Sequence, residues 1–457
     1  MKQKDPAILT TGNPARRIVI FALPIFAGDF LHVFYTMADT FIVGRWLGIN
    51  ALASAGMGTS VVHFIFSVII GLSAGFTVIT AQRVGALSIN TDNRNAAEEG
   101  IRRSVAAGLS LSLFTSVTIS ILSLFLAKPL LVLMNTPAEI IDNAHIYVLI
   151  ISTGIGVFMF YFLLTGIIHA GGDSFTPLIF LIIGSVTNIA LDLLFVAVLS
   201  WGVPGAAAAT VLAELFALIL IILFIFRRFR SFLPRKQDWR GVKGEWGAHL
   251  SLGIAMALQR CIVEVGNLLV QAAINGLGAL TIAAVSAAQR VRGFNMTPLF
   301  SVSRAVTTYT AQNYGAGKMD RVYKGLFQAC MISLGLGAFM AILNQFTGTP
   351  IVALFLKDSP EAIALASQYI LYTGYTVFIL GIMLAFRSCL QGLGMRRVPI
   401  LCGVMETVMS VLAALVLIPR FGFTGVCLVN PLSWLASGIP LYIAFWILWK
   451  RNAALAA

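Results

Sequence analysis

The chain has 457 residues, of which 58% are hydrophobic and only 11% charged, and its mean hydropathy is +0.91. No soluble core of this size hides so much apolar surface, which excludes an ordinary globular domain. The net charge of +13 excludes an acidic chain, and its scatter over many short segments excludes a nucleic-acid face.

Crossing the hydrocarbon as a helix takes ~20 apolar residues. Stretches of that kind, separated by charged or Gly/Pro breaks, recur near 15–38, 51–81, 104–126, 140–167, 175–199 and 205–226. They continue near 248–274, 280–311, 325–346, 362–390, 398–418 and 424–449. They predict an all-α integral membrane protein with twelve transmembrane helices, six per half. The breaks are too regular, and the alternation too weak, for an outer-membrane barrel.

In the first span Pro24 removes a backbone hydrogen bond and marks a hinge. Asp29, His32, Tyr35, Thr36 and Asp39 follow at helical spacing, within about a third of the circumference. An acid at membrane depth costs roughly 2.5–3.5 kcal/mol unless it faces a cavity or a partner, so the stripe suits the wall of a water-filled cavity. The alternatives are that Asp39 ends the helix near the outer surface and that His32 is a hydrogen-bonded structural histidine.

The second span begins a repeat. Residues 47–86 align without a gap on 277–316, with 12 of 40 positions identical, including Leu47-Gly48 on Leu277-Gly278 and Thr80-Ala81-Gln82 on Thr310-Ala311-Gln312. His169-Ala-Gly-Gly-Asp-Ser-Phe-Thr-Pro177 is answered by Gln391-Gly-Leu-Gly-Met-Arg-Arg-Val-Pro399, and Trp201-Gly-Val-Pro-Gly205 by Phe421-Gly-Phe-Thr-Gly425. Each half has an even number of spans. The copies therefore share one orientation, as two six-helix lobes related by a pseudo-twofold axis along the membrane normal, with the working site expected where they meet. Pro177 and Pro399 read as first-turn helix prolines, and Gln82 and Gln312 as helix caps. The most polar break, Arg227 to Gly247, divides an N-lobe (1–226) from a C-lobe (248–457) through a linker (227–247).

In the fifth span Ser185, Asn188 and Asp192 share one face, and in the sixth Thr210 and Glu214 stand at i, i+4. A carboxylate beside an amide oxygen and a hydroxyl is a hard-cation ligand set, suited to Na⁺ or a proton carrier. Interhelical hydrogen bonding is the competing explanation. Glu264 lies four residues after Arg260 and reads either as a neutralised helix pair or as a functional acid. Asp29, Asp39, Asp192 and Glu214 lie in the first half, where no Lys or Arg occupies the middle of a span. Glu406 accompanies Glu264 in the second half, and Arg260, Arg290, Arg292, Arg304 and Arg387 lie within or near its spans. The first half is the better candidate for a coupling ion.

With a cytoplasmic N-terminus, the cytoplasmic segments hold 22 Lys or Arg and the outer loops only Arg45, Lys128, Lys357 and Arg420. That bias places both termini inside the cytoplasmic membrane, and the basic surplus is a topology signal. The five cysteines sit in apolar stretches without metal-type spacing and read as small core residues.

The run from Pro24 through Tyr35, Asp39, Val43-Gly44 and Leu47-Gly48 resembles the opening of multidrug and toxic compound extrusion (MATE) transporters. Gln312-Asn-Tyr-Gly-Ala-Gly317, after Phe294 and Pro298, is similar to that family's eighth-helix ending. Asn188-x-x-x-Asp192 and Gly202-x-x-Gly205-Ala-Ala-x-Ala-Thr210 match its fifth and sixth helices. The resemblance covers essentially the whole chain. It implies a V-shaped pair of lobes exporting amphipathic organic compounds, mostly cations, in exchange for Na⁺ or H⁺. By position, Asp39, Asn188, Asp192 and Thr210 would hold the cation, Na⁺ included, with Pro24 the bend that responds.

Asp29, His32, Tyr35, Glu214, Glu264 and Arg304 would line a substrate cavity. Asp29 and Arg304 stand where many relatives carry neutral residues, and Arg387 occupies the tenth helix, where one branch has an acid. Small organic substrates and the lipid bilayer are the expected partners, with no nucleic acid and no cofactor beyond the coupling ion. One chain carries both lobes, so it is expected to work as a monomer. The alternative is a flippase of a lipid-linked precursor, its phosphate gripped by the second-half arginines. An enzyme is not expected: the five histidines are scattered, and no nucleophile sits beside a plausible base.

Overall fold

In hydrocarbon only a helix satisfies every peptide group within its own segment, and the described residues of this chain are mostly helical. A computed structural model describes residues 8–89, 94–356 and 359–456. Among them run twelve α-helices: α1 (Pro14–Leu87), α2 (Arg94–Leu133), α3 (Ala138–Thr153), α4 (Ile155–Ala170), α5 (Phe175–Asp192) and α6 (Gly202–Arg228), then α7 (Lys243–Asn275), α8 (Ala279–Gly315), α9 (Met319–Phe355), α10 (Pro360–Gly392), α11 (Arg397–Phe421) and α12 (Phe423–Ala456). Lys2, Lys4 and Lys357, which contribute to the charge bias, lie outside the described residues.

These helices do not map one to one onto the predicted spans. α1 has 74 residues and holds the first two spans, since at ~1.5 Å per residue it is several bilayers long. The fourth span is α3 plus α4, bent by 50° at Gly154. A Cβ on Gly154 would lie 2.7 Å from Val211, so the bend is where α6 approaches closely. Among the described residues nine helices are individually long and apolar enough to cross a membrane, and the α3–α4 pair makes a tenth. α8, the predicted eighth span, falls short of that level because Arg290, Arg292, Asn295 and Arg304 interrupt it.

The repeat seen in sequence is a repeat of backbone. α1 breaks at Gly48 with φ 80°, ψ −175°, and the aligned Gly278 before α8 takes φ 91°, ψ 170°. The other two echoes match as well: Gly172 and Gly394 both have φ 79°, and Gly202 and Gly422 have φ 67° and 56°. A side chain at Gly48 meets nothing within 4 Å, so only conformational strain opposes one. Gly48→Ala and Gly278→Ala are each expected to cost ~1–3 kcal/mol. Gly56→Ala, equally open but inside a regular helix, should be neutral or stabilising. Unfolding midpoints in detergent test this, and equal midpoints for Gly48→Ala and Gly56→Ala would refute it.

The chain forms two compact units, Ala27–Ala257 in the first and Leu9–Phe26 with Leu258–Ala457 in the second. Their boundary falls inside α7 at Ala257, beyond the predicted linker, and inside α1 just after Pro24. In the first unit, Cβ atoms on Gly71 and Gly75 would overlap the backbone of Ala257 and Gly253, so these glycines let α7 lie directly on α1. Polar groups complete the weld. Thr80 Oγ1, Ser104 Oγ and His249 Nε2 form a chain with steps of 2.9 Å, and Trp246 Nε1 donates to Ser110 Oγ at 2.9 Å. The segment predicted as a linker is thus part of the first unit.

In the second unit Leu9 and Thr10, of the short 3-10 turn Ile8–Thr10, sit in a socket of side chains. Gln312 Oε1 accepts from Leu9 N at 3.2 Å, Asn313 Nδ2 and Arg321 Nη2 donate to Leu9 O at 3.2 Å, and Lys318 Nζ donates to Thr10 O at 3.2 Å. Gln312 was expected to cap its own helix. Its Oε1 takes an amide 303 residues away.

Candidate functional site

Asp192 is the last residue of α5, and directly after it the backbone widens into a π-helical turn, Leu193–Val198. Such turns recur beside functional groups because they shift the register of one helix face. Asp192 is 0% exposed and Asn188, one turn earlier, 2%. With both ends of its amide satisfied, Asn188 donates to Asp192 Oδ2 at 2.9 Å and accepts from the Thr210 backbone N–H at 3.3 Å. The Thr210 hydroxyl donates to Ala206 O at 3.1 Å, so Thr210 meets Asn188 through its main chain and keeps only hydroxyl lone pairs to offer. Asp192 Oδ1 is buried with no hydrogen-bond partner among the described residues.

The carboxyl group of Asp39, on α1, lies in hydrogen-bonding contact with that of Asp192. Two carboxyl groups can meet in this way only by sharing a proton or a cation, because two charged carboxylates repel. The four residues predicted for cation coupling are therefore brought together within the first unit. Among the described residues no ion pair with Lys or Arg involves Asp39, Asp192 or Glu214.

The first-span stripe continues from this centre. Tyr35, half-buried, lies within electrostatic reach of Asp39, Asp192, Glu214 and Tyr147. The His32 ring meets the Tyr35 ring edge-on with centroids 5.4 Å apart, and His63 lies within electrostatic reach of His32. Asp29, half-buried, stands on the same stripe, and Glu214 approaches from α6. Pro24 lies inside α1 beside the boundary between the units.

Sequence reasoning missed Tyr147 and Tyr161. Tyr147, from α3, hydrogen-bonds Thr59 and lies within electrostatic reach of Asp39 and Asp192, while Tyr161, from α4, lies within reach of Glu214. The signal for Tyr147 lies at Gly58, where a Cβ would stand 2.7 Å from the tyrosine ring. Glycine there admits an aromatic side chain to the site, but nothing local identifies which one.

The remaining two cavity candidates belong to the second unit. Glu264 and Arg304 are exposed residues of α7 and α8, apart from the first-unit cluster. Glu264 accepts from Asn267 Nδ2 at 3.4 Å. Glu264 lies within electrostatic reach of Arg260, four residues earlier, without closing to an ion pair among the described residues. Arg387 on α10 instead pairs with Glu406 on α11 at 3.6 Å.

The family model MatE matches residues 24–194 and again 255–416, one match to each half of the repeat. The chain is 26% identical over 387 residues to the probable multidrug resistance protein YpnP of Bacillus subtilis, covering 84% of each chain. It is 23% identical over 444 residues to an FAD transporter of Shewanella oneidensis, covering 96% of each. A crystal structure of a MATE protein in the bent conformation superimposes with a TM-score of 0.85 at 22% identity, covering 100% of this chain and 99% of that one. Apolar helices, an internal duplication and a family match in both halves agree: this is a multi-pass membrane transporter, and the chain belongs to the MATE family.

Proposed function

We propose that the protein exports amphipathic organic compounds, cations foremost, in exchange for Na⁺ or H⁺ entering at Asp39 and Asp192. The observation that carries this reading is the contact between two carboxyl groups, one of them wholly buried, with no Lys or Arg paired to either among the described residues. An ion or proton placed between them removes their repulsion. Its loss restores the repulsion and drives α1 and α5 apart locally. An ion that binds one conformation better than the other shifts the population between them by that difference, and this is the coupling an antiporter needs. Asn188 holds Asp192 in place, and the π-helical turn after it gives α5 freedom to change register. Pro24, which removes one hydrogen bond from α1, is where bending of that helix costs least.

The relative named as a multidrug resistance protein supports the substrate class, and the named FAD transporter shows a similar chain assigned to a large anionic solute. No observation favours a flippase of lipid-linked precursors. The Lys/Arg bias supports a cytoplasmic membrane location with both termini inside. One chain holds both units, which suffices for a monomeric transporter.

The test uses purified protein in liposomes and ethidium as the transported cation. A Na⁺ gradient and a pH gradient are imposed separately. One of them is expected to drive ethidium against its own gradient, which identifies the ion. Ethidium movement at the rate of protein-free vesicles under both gradients would overturn the reading.

A further inference from the structure

We propose that the second unit carries an anion subsite at Arg260 and Arg387, which holds a carboxylate or phosphate group of a transported solute. This deepens the export reading above and rests on it. α7 presents a ladder of polar residues, Arg260, Glu264, Asn267, Gln271 and Asn275, at i, i+4, i+7, i+11 and i+15. Asn267 Nδ2 donates to Glu264 Oε2 at 3.4 Å and Gln271 Nε2 to Asn275 Oδ1 at 2.9 Å, so these side chains share one face. The ladder runs ~22 Å along the helix. Gln271 is half-buried and the other four are exposed. A polar ladder of that length in an apolar span belongs on water, because its cost against lipid is prohibitive.

At the Arg260 end, α10 and α11 close on α7. Gln391 Nε2 donates to Gln259 Oε1 at 3.2 Å, Thr407 Oγ1 donates to Ile262 O at 2.8 Å, and a Cβ on Gly403 would lie 3.1 Å from Gln259. Arg387 stands one turn before Gln391 and within electrostatic reach of Arg260. Glu406 balances Arg387 at 3.6 Å, whereas Arg260 takes part in no ion pair among the described residues. Glu264 lies within electrostatic reach of Arg260 but does not pair with it, so Arg260 stands beside a second guanidinium without a carboxylate in direct contact. The repulsion between the two guanidinium groups is relieved by a further anion, and the planar fork of N–H donors matches a carboxylate or phosphate in two-point contact.

The test is binding, without a gradient, to full-length protein in phosphatidylcholine nanodiscs. The probes are rhodamine 6G, a cationic ethyl ester, and its free acid, a zwitterion with the same ring system. Arg260→Gln is expected to weaken the free acid ~10-fold while leaving the ester unchanged, the worth of one charge-assisted contact. Arg260→Lys should restore part of the loss. In wild type, inorganic pyrophosphate should compete with the free acid and not with the ester, a result that needs no variant. An unchanged ratio of the two affinities in Arg260→Gln, or pyrophosphate displacing neither dye, overturns the proposal. Loss of the free-acid preference when phosphatidylglycerol is added to the discs would assign the site to a lipid headgroup and overturn it for solutes. Because no ion gradient enters, the subsite can fail while gradient-driven export stands, and the reverse.

Discussion

Asp192→Asn is expected to abolish gradient-driven export while leaving the protein folded. Asparagine keeps the shape of the side chain and can still bond the Asn188 amide, whose partner at 2.9 Å is Asp192 Oδ2. No Lys or Arg among the described residues pairs with Asp192, so the substitution strands no buried counter-charge. What disappears is the second carboxyl group of the pair with Asp39, and with it the energy that separates the ion-bound from the ion-free state. A loss of ~2.7 kcal/mol or more in that coupling corresponds to a fall of ~100-fold or more in initial rate. Asp39→Asn should give a similar loss. The double variant should be no worse than either single one, because the two groups act as a unit. The rate of ethidium movement in liposomes measures all three variants. Transport by Asp192→Asn at the wild-type rate would refute the cation site, and additive losses would refute the shared ion.

The largest loss of stability is expected from Arg102→Ala. Arg102 Nε donates to Asp238 Oδ2 at 3.0 Å, the same oxygen accepts from Arg235 N at 2.7 Å, and Asp238 is 0% exposed. Removing the guanidinium leaves a buried carboxylate without its counter-ion, at a cost of ~3–5 kcal/mol. The control is Arg94→Ala, which breaks the pair with Glu98 at 3.2 Å, where Arg94 is 68% exposed. A pair so open to solvent contributes ~1 kcal/mol or less. Unfolding in detergent should begin several degrees lower for Arg102→Ala than for Arg94→Ala. Similar midpoints would show that the Asp238 contact does not hold the segment after α6 to the first unit.

Much of the fold was legible because a bilayer leaves few choices. Long apolar segments must be helices, and a glycine that recurs at a break in both halves marks a turn that other residues cannot make. Gly48 and Gly278 show this best, with almost the same φ and ψ. The site was partly legible for the same reason. A carboxylate in an apolar span is conspicuous, and Asn188 with Asp192, or Asp39 with Tyr35, is set by helical spacing alone.

Tyr147 was not legible. A tyrosine among apolar residues looks like packing, and its role depends on which way α3 faces. That Gln312 takes the Leu9 amide was not legible either, because that partner is 303 residues away. That the first turns of α7 pack into the first unit was not legible, because Gly71 and Gly75 show their fit only against the backbone of Ala257 and Gly253, far along the chain.

The sequence by itself determined that this chain is a duplicated, helical membrane protein with acids in one half and arginines in the other. Those properties follow from composition, period and repetition, which do not depend on how helices face one another. Only the tertiary structure decided that Asp39 reaches Asp192, that Tyr147 joins them, and that Arg260 stands near Arg387, which pairs with Glu406. In these spans nearly every face is apolar, so periodicity does not orient a helix. Side-chain partners are then chosen by close packing between segments far apart in the chain.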